Sequence, residues 1–382
     1  MDVPRTLLVT NDFPPKVGGI QRTLKAVARE LPADRVAVFA PSWDGDAAFD
    51  AGEPYRVLRA EGRFLWPTPA IRRQVLDAIA ETGAQVVVFG DSFPLAGLAP
   101  GLARHGIPSV MLAHGFDHWL SVVPGARSWL RHVTGSVSRV AVCSGAIARD
   151  VRTAVPAHVP VSVLYPGADI EIFRPDLATD RIRERYRIGT APLVVCVSRL
   201  IPRKGQDVLI RSMARIRRRV PDAVLLVVGD GPYRATLERL ASRAPAGSVR
   251  FAGAVSEEDL PHHYAAADVF AMPCRSRIAG FEVEGWGSVF IEAAACGRPV
   301  VVGDSGGSRE AVVDGETGTL VRGSDVVAVG DAIADLLEDR ERAEAFGKAG
   351  RARVESSFTW RRVAGELADW LREAATAAPR SA

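Results

Sequence analysis

Two glutamates, Glu284 and Glu292, stand eight residues apart in Glu282-Val-Glu-Gly-Trp-Gly-Ser-Val-Phe-Ile-Glu292, with glycines between them. Ser288 is a natural helix start, which puts Glu284 in the preceding loop and Glu292 about one turn into the helix. The free amides of Gly287, Ser288 and Val289 then make an anion site at the helix N-terminus. A carboxylate on either side can accept hydrogen bonds from sugar hydroxyls. Acids simply favouring a helix dipole would explain the glutamates, but not the glycine-rich loop.

Three further segments carry charge or backbone suited to the same chemistry. Ser198-Arg-Leu-Ile-Pro-Arg-Lys-Gly-Gln206 follows an apolar run, so Arg199 and Lys204 project from a strand end. A forked guanidinium and a compact ammonium suit a diphosphate, although a solvated basic loop is the plainer account. Only four of the 48 basic residues are lysine, which makes Lys204 worth weighing. Gly18 and Gly19, in Asn11-Asp-Phe-Pro-Pro-Lys-Val-Gly-Gly-Ile-Gln21, open a helix and let its amides approach an anion. Two glycines alone mark no more than a turn, and neither a Gly-x-Gly-x-x-Gly fingerprint nor a Gly-Lys-Ser/Thr loop occurs. His114, in Leu112-Ala-His-Gly-Phe-Asp-His118, follows another strand, but a lone histidine is more often structural.

Positioning these residues takes strands that end together. β-branched runs alternate with amphipathic segments, giving expected strands at 6–10, 36–40, 55–59, 86–89, 109–112, 140–143 and 161–165. After a Pro/Gly-rich linker at 166–176, alternation restarts with strands at 193–198, 223–228, 249–251, 269–272, 300–302 and 319–321. Expected helices include 20–31, 71–82, 146–154, 208–220, 233–242, 257–266 and 326–337. Strand–helix alternation predicts parallel sheets covered on both faces. The fold class is α/β: two doubly wound Rossmann-like domains, 1–168 and 169–357, facing a cleft. A C-terminal helix and tail, 358–382, return toward the first domain; Trp360, Val363, Leu367 and Trp370 recur there at helical spacing. Ligands of open parallel sheets bind beyond the carboxyl ends of the strands.

Composition narrows the function class. The 382 residues are 47% hydrophobic and 24% charged, ordinary for a globular chain and not for a disordered or fibrous one. Net charge is +3, with 17 basic against 14 acidic residues in 1–168 and 31 of each in the remainder. That is too little for a nucleic-acid binder, and suits weak preference for an anionic surface. The longest apolar stretch is far below the roughly 20 residues of a membrane span. The amino-terminal residues enter a strand at once, so a cytoplasmic location is expected. Cys143, Cys196, Cys274 and Cys296 lack metal or disulfide spacing and read as buried thiols. Aromatic and basic residues cluster at 59–73, with Phe64 and Trp66, and at 119–132, with Trp129 and Arg131, as membrane interfaces and ordinary helix faces both do.

Pro14-Pro-Lys-Val-Gly-Gly-Ile-Gln21, Arg199 with Pro202-Arg-Lys-Gly-Gln-Asp207, Val228-Gly-Asp-Gly-Pro232, the Glu284/Glu292 pair, Asp304-Ser-Gly-Gly307 and Phe358-Thr-Trp360 occur in one order. Together they resemble the retaining glycosyltransferases of family 4, of GT-B fold, over nearly the whole chain. Within that family the chain looks most like actinobacterial phosphatidylinositol mannoside mannosyltransferases. Thr10-Asn-Asp-Phe-Pro-Pro, Pro124-Gly-Ala-Arg127 and Cys274-Arg-Ser-Arg277 carry that closer likeness, while Gly115–Leu120 and Ile278-Ala279 depart from it. The resemblance implies α-mannosyl transfer from GDP-mannose to a phosphatidylinositol mannoside, with peripheral contact to the inner face of the plasma membrane. It implies that Arg199 and Lys204 neutralise the departing diphosphate, that Gly18, Gly19 and the amides of Gly287–Val289 bind its phosphates, and that Glu292 holds the ribose. Glu284 would contact the transferred sugar, His114 the anomeric centre, and Gln21 the acceptor. No Asp-x-Asp metal motif is evident in the segments expected to line the cleft, so neither metal nor cofactor is expected. Alternatives are the same fold with another nucleotide sugar and a soluble secondary-metabolite acceptor, a nucleotide-sugar epimerase, and a catalytically dead sugar-nucleotide-binding protein.

Overall fold

The computed structural model describes residues 2–377, and the expected tail 378–382 lies outside them. The chain divides into two compact units, one of 1–166 together with the segment from Trp360 onward, the other Gly167–Thr359. It therefore passes between the units twice, at Pro166/Gly167 and at Thr359/Trp360.

The first unit holds β1 (Thr6–Val9), β2 (Val36–Pro41), β3 (Arg56–Ala60), β4 (Val86–Phe89), β5 (Ser109–Ala113), β6 (Arg139–Val142) and β7 (Val161–Val163), in the order β3-β2-β1-β4-β5-β6-β7. The second holds β8 (Leu193–Val197), β9 (Val224–Val228), β10 (Val249–Gly253), β11 (Val269–Met272), β12 (Val300–Gly303) and β13 (Gly318–Val321), in the order β10-β9-β8-β11-β12-β13. Every pairing is parallel. Central strands such as β4 and β12 are continuous valine runs because helices cover both of their faces. In each sheet the winding reverses once, between β1 and β4 and between β8 and β11. Connections diverge at such a reversal and leave a crevice beyond the strand ends. Thr10, Asn11, Asp12 and Asp91 sit at the first reversal, and Ser198, Arg199 and Cys274 at the second.

The helix Trp360–Ala377 belongs to the first unit. Val363, Leu367 and Leu371, with Ala364, Ala368 and Ala374, join a core that includes Leu24, Val27, Val86, Val88 and Val110. Trp360 and Trp370 lie at its border, and the Arg139 guanidinium covers the Trp370 ring at 5.1 Å. The helix starts two residues later than the expected 358.

Ser288 starts its helix as expected, and local structure differs from the sequence reading at three points. Ser288 does not cap its helix; Gly287 precedes it at φ +88°, and Ser288 is the first helical residue without a capping bond. The helix Arg340–Ser357 has no strong apolar stripe in the sequence and was not expected. Its Gly347 is a close-packing position, where a Cβ would lie 2.1 Å from the Gly297 carbonyl oxygen. The expected helix at 257–266 is confined to Leu260–Ala265.

Candidate active site

In the second unit, β8 runs into Arg199, a single 3-10 turn Pro202–Lys204, and the helix Gln206–Arg219. Gly205 joins turn to helix at φ +78°, and a Cβ there would lie 2.0 Å from the Pro273 carbonyl oxygen. The turn is thus pressed against the end of β11, which aims Lys204 at the loop before the helix Ser288–Ala295. Lys204 Nζ donates to Glu284 Oε2 at 2.6 Å. Arg203 Nη1 donates to the Val283 carbonyl at 2.9 Å and lies 3.4 Å from the same Glu284 oxygen. The Asp304–Gly307 segment clasps the Glu284 backbone: its amide donates to Ser305 Oγ at 3.2 Å, and its carbonyl accepts from the Gly307 amide at 2.9 Å. Glu284 is 6% exposed. Burial alone would push its pKa up, but Lys204 and Arg203 outweigh burial and hold the carboxyl below the usual range. It is therefore an anion at neutral pH.

Glu292 is equally buried, and Tyr264 Oη donates to its Oε2 at 2.5 Å. The amides of Ser288 and Val289 open this helix behind Gly287, whose missing Cβ would lie 2.6 Å from the Phe290 ring. Of the expected cations, Lys204 joins the glutamate loop, whereas Arg199 is exposed with no side-chain partner among the described residues. Sequence reasoning quoted Arg203 without giving it a role. Its adjacency to Lys204 was the available signal.

In the first unit, Asp12 Oδ1 accepts from Lys16 Nζ and Gln21 Nε2, both at 2.6 Å. Gln21 is buried and turned onto Asp12 beneath the glycine turn. A Cβ at Gly18 would lie 2.2 Å from Gln21 Oε1, but one at Gly19 would meet nothing within 4 Å. Packing therefore explains the first glycine and not the second. His114 Nε2 lies 2.8 Å from the Gly90 carbonyl. A carbonyl only accepts, so that nitrogen carries hydrogen. Burial lowers the His114 pKa against the opposing pull of Gly90 and Asp12, leaving a neutral ring with its lone pair on Nδ1.

Two buried acids near His114 had little sequence signal. Asp91, directly after β4 and Gly90, accepts from Thr10 Oγ1 at 3.0 Å and the Asn11 amide at 3.4 Å. Asp117 is held by Ser92 and nearby amides. One oxygen of each, Oδ1, finds no hydrogen-bond partner among the described residues. Burial raises Asp91 to about 7, aided by Asp12 and Asp117, and raises Asp117 to about 6. Outside this cluster, Asn11 exchanges two hydrogen bonds with the Leu65 backbone, at 3.0 and 2.7 Å. Leu65 anchors a loop bearing Phe64 and Trp66. Ring contacts run from Phe64 to Trp66, Phe93, Phe116 and Trp119, with Trp129 also against Phe93, at centroid separations of 5.2–6.3 Å. Five of these six rings are exposed.

Among the described residues, no three His, Cys, Asp or Glu side chains group closely enough to hold a metal ion. All four cysteines are buried, and none of them forms a disulfide. No described helix is long and apolar enough to cross a membrane.

Residues 17–172 match the model described as "Glycosyltransferase Family 4", and residues 178–353 match "Glycosyl transferases group 1". A Mycolicibacterium smegmatis protein is 45% identical over 372 residues, covering 96% of this chain and 97% of that protein. The chain belongs to glycosyltransferase family 4. The M. smegmatis relative is a "GDP-mannose-dependent alpha-(1-6)-phosphatidylinositol monomannoside mannosyltransferase". A Corynebacterium glutamicum relative, 38% identical over 96% of this chain and 98% of its own, is named for the monoacylated form of that acceptor. The fold of this family 4 glycosyltransferase is also that of Anabaena HepE solved with UDP: TM-score 0.80, 22% identity, covering 97% of this chain and 100% of that one. Sucrose-phosphate synthase from Thermosynechococcus elongatus gives a TM-score of 0.75 at 23% identity, covering 97% of this chain and 98% of that one. Both units of this glycosyltransferase are the parallel Rossmann-like sheets of the GT-B fold.

Proposed function

We propose that this glycosyltransferase moves an α-mannosyl group from GDP-mannose to a phosphatidylinositol monomannoside, forming a 1-6 linkage with retention. The 45% identity to mycobacterial enzymes of that name, over 96% of the chain, carries the reading. The bond from the anomeric carbon to the diphosphate oxygen breaks, and a bond to the acceptor hydroxyl oxygen forms on the same face. The hydroxyl proton passes to the leaving diphosphate. Lys204 and Arg199 neutralise the charge that develops there, assisted by the amides of Gly287, Ser288 and Val289 at their helix start. Lys204 has three donors, so it can keep Glu284 while gaining a phosphate. Glu284, fixed between Lys204 and Arg203, contacts the transferred sugar, and Glu292 the ribose. Gly18 and Gly19 offer amides to the phosphates; the open space at the Gly19 Cβ position agrees with that task. Neutral His114 offers its Nδ1 lone pair to a sugar hydroxyl, and Gln21 acts on the acceptor side by holding Asp12. With this supply of fixed positive charge, turnover needs no divalent metal and survives chelation.

The exposed aromatic surface supports a lipid acceptor and peripheral contact with an anionic membrane. The segment Gly115–Leu120 contributes two rings to that surface. Phe116 stacks on Trp119 at 5.5 Å and meets Phe93 at 6.3 Å. Indole and phenyl rings favour the headgroup boundary, and the basic excess of residues 1–168 attracts anionic lipid.

The test is radiolabelled sugar transfer by the purified protein, with GDP-mannose or UDP-glucose offered against phosphatidylinositol monomannoside vesicles or free inositol phosphate, with and without chelator. Labelled lipid from GDP-mannose alone is expected. A UDP-sugar preference overturns the donor, and product only from inositol phosphate overturns the lipid.

A further inference from the structure

Tyr264 takes no part in the roles above, yet its surroundings are built around one hydroxyl. The side chain is fully buried on the helix Leu260–Ala265, and its Oη donates to Glu292 Oε2 at 2.5 Å. Its ring is clamped by Phe173 at a centroid distance of 5.6 Å and by Phe270 at 5.4 Å. Phe270 in turn meets Phe290 at 6.0 Å, on the same helix as Glu292. A ring held on these sides cannot swing away, so the position of its hydroxyl oxygen beside Glu292 is set by the core.

We infer that Tyr264 is a positioning residue that fixes the rotation of the Glu292 carboxylate and so sets recognition of the ribose diol of the donor. This rests on reading Glu292 as the ribose contact. Glutamate is long and rotamer-rich, and an unclamped carboxylate presents its acceptor lone pairs in many directions. An ionised carboxylate has about four acceptor sites, so a hydrogen bond from Tyr264 orients the group without exhausting it. Hydrogen bonds to charged groups are among the strong ones, and a buried one survives thermal motion. Tyr264→Phe keeps the packed ring and removes only the hydroxyl. The ribose-dependent part of nucleotide affinity should then fall while base and phosphate contributions remain.

The measurement is calorimetric affinity of the full chain for GDP and UDP, then for the 2′-deoxy counterpart of whichever binds better, in the unchanged protein, Tyr264→Phe and Glu292→Gln. The unchanged protein should prefer the ribonucleotide by roughly ten-fold or more, as expected for a hydrogen bond to a charged group. Both variants should lose most of that preference while binding the deoxynucleotide almost unchanged. If Glu292→Gln loses the preference and Tyr264→Phe keeps it, the proposal is wrong and the ribose role of Glu292 stands. If Glu292→Gln keeps it, both fall together. Should Tyr264→Phe fail to fold, fluorotyrosine at position 264 preserves the ring and alters only hydroxyl acidity. Changed ribonucleotide affinity with unchanged deoxynucleotide affinity then supports the proposal, and a ribonucleotide affinity no different from that of the unchanged protein overturns it.

Discussion

Lys204 pairs with a buried carboxylate and, in the proposed reaction, also neutralises the departing diphosphate. Lys204→Ala should lower turnover by roughly 10²-fold or more, the usual loss for a group that stabilises developing charge; steady-state rates check it. The same change strips a buried carboxylate of its nearer cation. The folded pKa of Glu284 lies below its ordinary 4.5, so the pair stabilises the fold above that value and loses its effect as pH falls through the folded pKa. Without Lys204, burial drives the Glu284 pKa up. The stability deficit of the variant should be greatest near pH 8 and shrink toward pH 5, as thermal melts across about that range will show. Asp91 works in the opposite sense. Its pKa is raised to about 7, so ionising it in the fold costs stability progressively as pH rises from its unfolded 3.8 toward that value. Asp91→Asn keeps an oxygen for Thr10 and Asn11 but cannot ionise. Its melting temperature relative to the unchanged protein should rise between roughly pH 5 and about pH 8; a constant difference would refute the assignment.

Two glycines divide the labour at the level of elements. Gly205 turns the chain into the helix Gln206–Arg219 with positive φ, and a Cβ would collide with the Pro273 carbonyl. Gly205→Ala should cost about 2 kcal/mol or more, from left-handed strain plus overlap, in urea unfolding. Gly19 opens the helix Gly19–Glu30 in open space. Gly19→Ala should leave stability within about 0.5 kcal/mol yet weaken donor binding, because a methyl group would intrude on the phosphate contact proposed for its amide. Equal donor affinity in that variant would return Gly19 to an ordinary turn. The Pro202–Lys204 turn and the glutamate loop are similarly tied by Arg203, whose bond to Val283 fixes one loop against the other.

For the whole molecule, the second unit is one continuous segment and the first is not. Residues 167–359 alone should unfold cooperatively in denaturant. Residues 1–166 alone should not, because Leu24, Val27, Val88 and Val110 lose the cover of Val363, Leu367 and Leu371. The aromatic surface makes a second prediction. Replacing Trp66 and Phe116 by serine should reduce co-sedimentation with anionic vesicles roughly ten-fold, given the apolar area of two half-exposed rings. Transfer to a short-chain soluble acceptor should change little. Unaltered sedimentation would remove that surface from membrane contact.

The sequence already carried the parallel sheets, because strands buried on both faces must be continuous apolar runs, and such runs as Val86–Phe89 are visible in one dimension. It also determined the glutamate spacing, since a glycine loop before a helix is a local pattern. Pairings across distance emerge only on folding. Arg203 and Lys204 converge on Glu284 across 80 residues of chain. Asp91 meets Thr10 across 81, Asn11 meets Leu65 across 54, and Tyr264 meets Glu292 across 28. Asp91 and Tyr264 have no sequence signal beyond their types, because a buried polar group takes its meaning from the partner that satisfies it. Gln21 shows the same from the other side: the resemblance implies a contact with the acceptor, and only the fold reveals its hydrogen bond to Asp12. The six aromatic rings lie scattered between residues 64 and 129 and become one surface only when the strand ends of the first sheet bring their loops together.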